Sequence, residues 1–392
     1  MKKNIEPLWL KVIRILLAAV FLFSGFVKAI DPIAFSHTIG DYFFSFKMGF
    51  MQPFSLSFAV LPIVAEFALG FMLLFRIRVK FTIAFYMLFM VFFLFLTAWL
   101  ALAEHLEAHY GYNFGVVKDC GCFGKAIVMS NLHTFLKNVV IIIPTIIVFA
   151  KRNKIPDIRL TILGQWCFAA LGVLFVSLLQ FYCYRHLPII DFGDWQKGNN
   201  VAKTFIEKPA KKDIVFVYQE IADSSNLKTL TTDELSSITD KQPDFYEKYA
   251  FVERRDKIVD SAYHPEIAGF NMIDSLGYDH AFELISETNP QNVFIVFMYD
   301  LYDVDKKGVE RVEKWASSLD STAIVVAVTN SPENDIVSFI KEYNFTIPLY
   351  INPIDPIKGP FVVRDAVRAN PGVVQIRSGK VVDKWNWRQL GK

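Results

Sequence analysis

The chain is poor in cysteine, with 4 among 392 residues and none after Cys183. That is too few for a disulfide scaffold, and it leaves the C-terminal half without a thiol of its own. An excess of charge is missing too. The net charge is +2, and no basic run carries interleaved aromatics, so no nucleic-acid partner is expected. No internal repeat recurs along the chain. The second half lacks apolar runs longer than an ordinary strand needs. The first half is full of them: apolar residues make up 53% of the whole and Phe alone accounts for 38 positions.

A membrane-spanning helix needs about 20 mostly apolar residues. Five segments qualify, at about 8–30, 54–75, 81–103, 132–150 and 160–183. Basic residues favour the cytoplasmic side. Lys2, Lys3, Lys11 and Arg14 group with Arg76, Arg78 and Lys80 and with Lys151, Arg152, Lys154 and Arg159 on one side. The other side carries Lys47, Lys118 and Lys125. The expected topology is a cytoplasmic N-terminus and everything after Cys183 outside. Lys11 and Arg14 interrupt the first apolar stretch, so a retained first helix is expected rather than a cleaved signal.

Polar residues inside spans are costly and default to functional candidates. Glu66 falls near the middle of the second span, Lys28 near the outer end of the first, and Lys137 and Asn138 near the outer end of the fourth. The plainer expectation is a structural partner for Glu66 and outward snorkelling for both lysines. Pro62 and Pro144 are expected to kink their helices.

The second outer loop reads Lys118-Asp119-Cys120-Gly121-Cys122-Phe123-Gly124-Lys125. A disulfide ring closed across one glycine would be strained and easily reduced. Lys118 and Lys125 favour a thiolate and Asp119 opposes it. Three readings stay open for Cys120 and Cys122: redox exchange, a structural disulfide, and metal binding, which would need further ligands. Cys183 ends the fifth span on the same side and is a candidate redox or structural partner. Cys167, deeper in that span, is expected to be a packed apolar residue. His105 and His109 share a helix face at i, i+4 spacing.

These residues resemble a family. Ser24-Gly25-Phe26-Val27-Lys28 followed by Asp31-Pro32, Glu66 with Gly70, and Cys120-Gly121-Cys122-Phe123-Gly124 with Asn138 downstream make residues 8–150 similar to the DoxX and MauE group of bacterial membrane proteins. MauE is linked to maturation of methylamine dehydrogenase, a disulfide-rich periplasmic enzyme, beside a thioredoxin-like partner. DoxX relatives are associated with quinone-linked sulfur oxidation. The resemblance implies an inner-membrane setting and a quinone as a candidate cofactor.

After a connector at 187–192, a strand is expected near 213–219, then a poorly patterned stretch to about 265. Further on, strands at 292–298, 322–328, 347–351, 372–376 and 380–385 alternate with helices at 305–319 and 333–343, and Gly379 supplies the last turn. This order resembles a thioredoxin fold, with Asn370-Pro371 where that family carries its cis-proline. The family's paired cysteines are missing, because the first of these strands runs into Met298-Tyr299-Asp300-Leu301-Tyr302-Asp303.

The expected fold class is a membrane α-helical bundle of about five spans plus a C-terminal α/β thioredoxin-like periplasmic domain. The units are a bundle at 1–185, a connector and strand-containing extension at 186–265, and the thioredoxin-like domain at 266–392. The expected function is a membrane component of periplasmic thiol–disulfide exchange. Cys120 and Cys122 would carry the electrons, and the groove by Pro371 would bind periplasmic protein clients or a redox partner. A bundle fused to such a domain resembles vitamin K epoxide reductase relatives in architecture alone, since those space their cysteines differently. The alternative is a non-catalytic, membrane-anchored assembly factor with a structural cysteine staple. A small transporter using Glu66 and the lysines lacks the paired broken helices it would need.

Overall fold

The computed structural model describes residues 6–110, 117, 120–204, 211–221, 226–260, 267, 269–354 and 361–391. Five helices are long and apolar enough to cross a membrane: α1 (Leu8–Ile30), α3 (Ser55–Phe75), α4 (Val79–Tyr110), α5 (Asn131–Ala150) and α6 (Ile162–Arg185). At about 1.5 Å per residue, the 23 residues of α1 cover the roughly 30 Å of a hydrocarbon core. The chain is thus a multi-pass membrane protein. Pro62 and Pro144 lie inside continuous helices.

α2 (Pro32–Ser45) was not expected. It begins on Asp31, whose side chain accepts the Ala34 amide at 3.0 Å, with Pro32 at the first helical position. This is the usual chemistry of a helix start. With the 3-10 turn Gly49–Phe54 it fills the first loop, leaving Phe44, Phe50 and Phe54 exposed.

Small residues let the spanning helices touch. A Cβ on Gly25 of α1 would lie 2.7 Å from the Phe67 nitrogen of α3, and one on Gly70 of α3 would lie 2.7 Å from the Leu22 nitrogen of α1. Only glycine permits that approach, the commonest route to tight packing where no hydrophobic effect drives helices together. At the end remote from the cysteine loop, Arg14 is buried but satisfied. Its guanidinium donates to the carbonyls of Leu73 and Leu74, at 2.7 and 2.8 Å, and to Glu6 at 2.7 Å. Cys167 is exposed on α6 rather than packed. Its helix has neighbours on one side only, and the other side is left for lipid.

The C-terminal region is α/β. Strands β1 (Lys211–Glu220), β2 (Leu227–Thr231) and β3 (Tyr249–Asp260) form an antiparallel sheet in the order β2-β1-β3. The stretch expected to be poorly patterned is therefore structured in its described parts. Its small core, Tyr218, Leu230, Phe245 and Tyr249, is aromatic and spread over several elements, too sparse to show as a period.

Strands β4 (Val293–Phe297), β5 (Ile324–Thr329), β6 (Leu349–Ile351), β7 (Gly372–Arg377) and β8 (Lys380–Asn386) form a second sheet in the order β6-β5-β4-β7-β8. β4, β5 and β6 run parallel; β7 and β8 are antiparallel. Every residue of β4 is buried. Val293, Ile295 and Phe297 face one core with Trp195 and Phe270, while Phe294 and Val296 face the other with Val309, Phe339 and Trp387. That alternation is what a strand covered on both faces requires. Ser378 and Gly379, at φ +46° and +72°, make the tight β7–β8 turn. The Asn370–Pro371 bond before β7 is cis.

Candidate functional site

The site begins at the Asp31 end of α1. Lys28 is 1% exposed, and its ammonium lies 2.7 Å from both carboxylate oxygens of Glu66 on α3. The two residues expected to act separately are thus one ion pair. Lys28 does not snorkel, because Glu66 supplies inside the bundle the counter-charge that it would otherwise seek in water. Its ammonium also lies 4.9 Å from the centre of the Phe35 ring.

Ser24, one turn before Lys28, ties this pair to the cysteine loop. Its hydroxyl oxygen lies 2.7 Å from Glu66 Oε2 and 2.7 Å from the Cys122 carbonyl oxygen. One proton serves one acceptor at a time. With Lys28 already donating to Glu66, the Ser24 proton is available to the Cys122 carbonyl.

The loop itself is folded by its glycines. Gly121 has φ +68°, and a Cβ there would lie 3.0 Å from Thr38 Cγ2 and 3.2 Å from Phe35 Cε2 of α2. Glycine is required both by the left-handed backbone and by the contact. Cys120 and Cys122 are thiols with their sulfurs 2.8 Å apart, and the Cys122 amide donates to Cys120 Sγ at 3.3 Å. The thiol–thiol hydrogen bond from Cys120 draws the Cys122 thiol down to about 7 against the opposing effect of burial, helped by Lys137 and Lys28 and resisted by Glu66. Lys118 and Asp119, expected to bear on the thiolate, lie outside the described residues.

Cys122 and Phe123 border a cleft between α1, α3, α4 and α5, together with Glu66, Lys137 and Asn138. Asn138 is committed to packing. Its amide donates to Thr97 Oγ1 at 3.1 Å and joins α5 to α4. Lys137 is half-buried, with its ammonium 4.3 Å from the Phe123 ring centre. The structure thus gathers Cys120, Cys122, Glu66, Lys28 and Asn138 into one neighbourhood. Cys183 is buried at the end of α6, outside both this cleft and the apolar cluster around Cys120 and Cys122. The rings of His105 and His109 stack 5.4 Å apart at the end of α4.

Sequence reasoning missed the seat of the C-terminal region. Arg368 donates to Asp31 Oδ2 at 2.9 Å and to Asp365 Oδ1 at 3.0 Å. Asp365 in turn lies 3.3 Å from Lys125 and 3.5 Å from His37, and Arg364 lies 3.6 Å from Asp41. Burial disfavours a charged Asp365, but Arg368, the His37 hydrogen bond, Lys125 and Arg364 together hold its carboxyl well below the usual range. Burial, with Arg364 adjacent, lowers His37 to about 4, so its ring is neutral at neutral pH. Pro371 is buried against Gly308, and the loop after β4 brings Tyr299 edge-on to His37 at 6.1 Å. The Pro371 side of the region therefore faces the bundle beside the cysteine loop. The Asp31-Pro32 step was the available signal: one carboxylate oxygen caps α2 and the other takes Arg368.

Residues 7–151 match the family model described as Methylamine utilisation protein MauE. This stretch, which holds α1 to α5, the Lys28–Glu66 pair and both loop cysteines, is MauE-like. No curated protein matches the chain.

Proposed function

We propose that the protein is a membrane component of periplasmic thiol–disulfide exchange, with Cys120 and Cys122 as its electron-carrying pair. The observation that carries this reading is the pair itself: two thiols 2.8 Å apart, one of which is drawn down to about 7, lines a cleft between the spanning helices and is tied through Ser24 to a buried ion pair. A thiol with that acidity is about half thiolate at neutral pH, the form that attacks disulfides. In the oxidising direction the two thiols lose two electrons and two protons and close the Cys120–Cys122 bond. A partner disulfide, or a membrane quinone, takes up the electrons and protons to become a dithiol or a hydroquinone. The basic residues at the end remote from the cysteine loop support a cytoplasmic N-terminus in a bacterial inner membrane.

The order of the five-stranded sheet, three parallel strands followed by an antiparallel hairpin, supports a thioredoxin-like reading of the C-terminal region. Without cysteines, that region would dock clients or partners rather than exchange thiols. The matched family is named for methylamine utilisation, which gives the first setting in which to look for such clients.

A second reading, a membrane-anchored assembly factor, is favoured by one observation: Cys120 and Cys122 are only 5% and 9% exposed. Thiol trapping in intact cells, with single serine changes at Cys120, Cys122 and Cys183, separates the two. Exchange predicts a mixed population of oxidised and reduced pairs, and a mixed disulfide with another protein in one of the variants. A pair locked in one state under all conditions, with functional variants, overturns exchange and leaves the assembly factor.

A further inference from the structure

The two sulfurs differ in what they can reach. Cys120 and Cys122 both pack into an apolar cluster with Tyr42, Leu100 and Val117, and the Tyr42 hydroxyl donates to the Cys120 carbonyl at 3.4 Å. Cys122, and not Cys120, also forms part of the wall of the cleft, whose remaining surface is largely apolar, with Val20, Phe21 and Met90 among its residues. On the described part of the loop, α2 packs against Gly121 and the C-terminal region pairs with Lys125.

The charged groups that act on Cys122 come from three helices: Lys28 of α1, Glu66 of α3 and Lys137 of α5. α4 brings only Met90 and Phe93 to the cleft. Lys28 and Glu66 are in contact at 2.7 Å, so at Cys122 their fields largely cancel, as those of any tight ion pair do. Lys137 is different. Among the described residues no carboxylate lies within 4.0 Å of its ammonium, which rests on the ring of Phe123, the residue after Cys122.

We propose that the pair is directional: Cys122 is the sulfur that meets an outside thiol or disulfide, through the cleft, and Lys137 is the cation that sustains its thiolate. Cys120 is the internal partner. This rests on the exchange reading. In the oxidising direction the Cys122 thiolate attacks one sulfur of a partner disulfide. A Cys122–partner bond forms, the partner's own disulfide breaks, and the departing sulfur takes the electron pair and a proton. Cys120, losing its proton, then attacks Cys122 Sγ. The Cys120–Cys122 bond forms, the mixed disulfide breaks, and the second partner sulfur leaves as a thiol. The protein's dithiol is oxidised and the partner disulfide is reduced. The cleft's apolar lining selects a partner whose reacting sulfur sits in an apolar segment.

The test is alkylation of the purified full-length protein in lipid nanodiscs by N-ethylmaleimide, with labelling at Cys122 read by mass spectrometry across a pH series. A Cys120→Ser background keeps a hydroxyl donor beside Cys122. Lys137→Met is expected to move the pH profile upward, slowing labelling near neutral pH by up to about tenfold for each unit moved. Lys137→Arg, which keeps the charge, restores the profile, which a purely structural role for Lys137 does not predict. In the Cys122→Ser protein, Cys120 is expected to label far more slowly. Profiles that coincide in the Lys137→Met protein and its parent, or equal labelling of the two cysteines, overturn the proposal. Alkylation needs no turnover. A pair that never cycles in cells therefore defeats the exchange reading even if the Lys137 dependence is present. A Lys137-independent profile in a cycling protein defeats directionality alone.

Discussion

Lys28 and Glu66 meet inside the helix bundle, while Arg368, Asp31, Asp365, His37 and Lys125 meet where the C-terminal region seats on it. The first site is a closed pair between two spanning helices, with one serine linking it to the cysteine loop. The second is a network, in which Asp365 has four basic neighbours, His37, Lys125, Arg364 and Arg368, and Asp31 both caps a helix and receives an arginine. A pair has no substitute when one member is removed. A network redistributes. Buried charge therefore does two jobs in one chain: it fixes a geometry in the bundle, and it forms a seat that salt and pH can loosen at the junction.

Removing one member of the pair is the largest expected effect. Glu66→Gln or Lys28→Met leaves the other charge buried among apolar side chains, and breaking a buried pair in this way costs roughly 3–5 kcal/mol. Either variant should lower the thermal midpoint of the detergent-solubilised protein by several degrees or abolish its accumulation in membranes. The double variant should recover a good part of the loss, because no charge is then left unpartnered. If the double variant is as poor as the singles added together, the pair is not the closed unit described above.

Arg368→Ala attacks the network and should cost less, about 2–3 kcal/mol, since Asp31 keeps the Ala34 amide and Asp365 keeps Lys125. The bundle should stay folded while the connector after α6 becomes far more sensitive to protease, increasingly so at high salt. A bundle that melts together with the seat would show that the two sites are one structural unit.

The same contrast separates what the sequence makes legible from what it hides. The spans were legible because about 20 apolar residues in a row have few other uses, and β4 because a fully buried strand is apolar throughout. The polar residues were found one by one: Glu66, Lys28 and Asn138 stood out because charge and amide are costly in a span. Their partners were hidden, because pairing Lys28 with Glu66 joins residues 38 positions apart, and no local pattern encodes that. The junction was hidden for a stronger reason. Arg364, Asp365 and Arg368 look like an ordinary solvated charge run, and only the approach of Asp31, His37 and Lys125 from the other end of the chain buries them. α2 was missed because its 14 residues are too short for a span and too apolar for an ordinary loop, although Asp31-Pro32 announces its start.

The smallest effect expected is a pH dependence confined to the junction. His37 titrates at about 4 when docked against roughly 6.5 when released, so between those values the released state binds more protons. Docking is then fully favoured above about pH 6.5 and weakens progressively as the pH falls towards 4. Asp365, held low by Arg368 and its other partners, stays ionised through that window and loses its contribution only in stronger acid. Asp41 works the other way. Burial raises its carboxyl, so its protonation favours the docked state at the acid end, and it offsets part of the His37 term. The balance should be roughly 1–2 kcal/mol. It would be read as a loss of energy transfer between a fluorophore near the end of α6 and one on β8 as the pH is lowered from neutral. His37→Gln, with no charge to gain, should flatten that slope between about pH 6.5 and 4 while leaving the Lys28–Glu66 pair and the thermal stability of the bundle unchanged. An undiminished slope in that variant would move the pH sensitivity from His37 to the carboxylates.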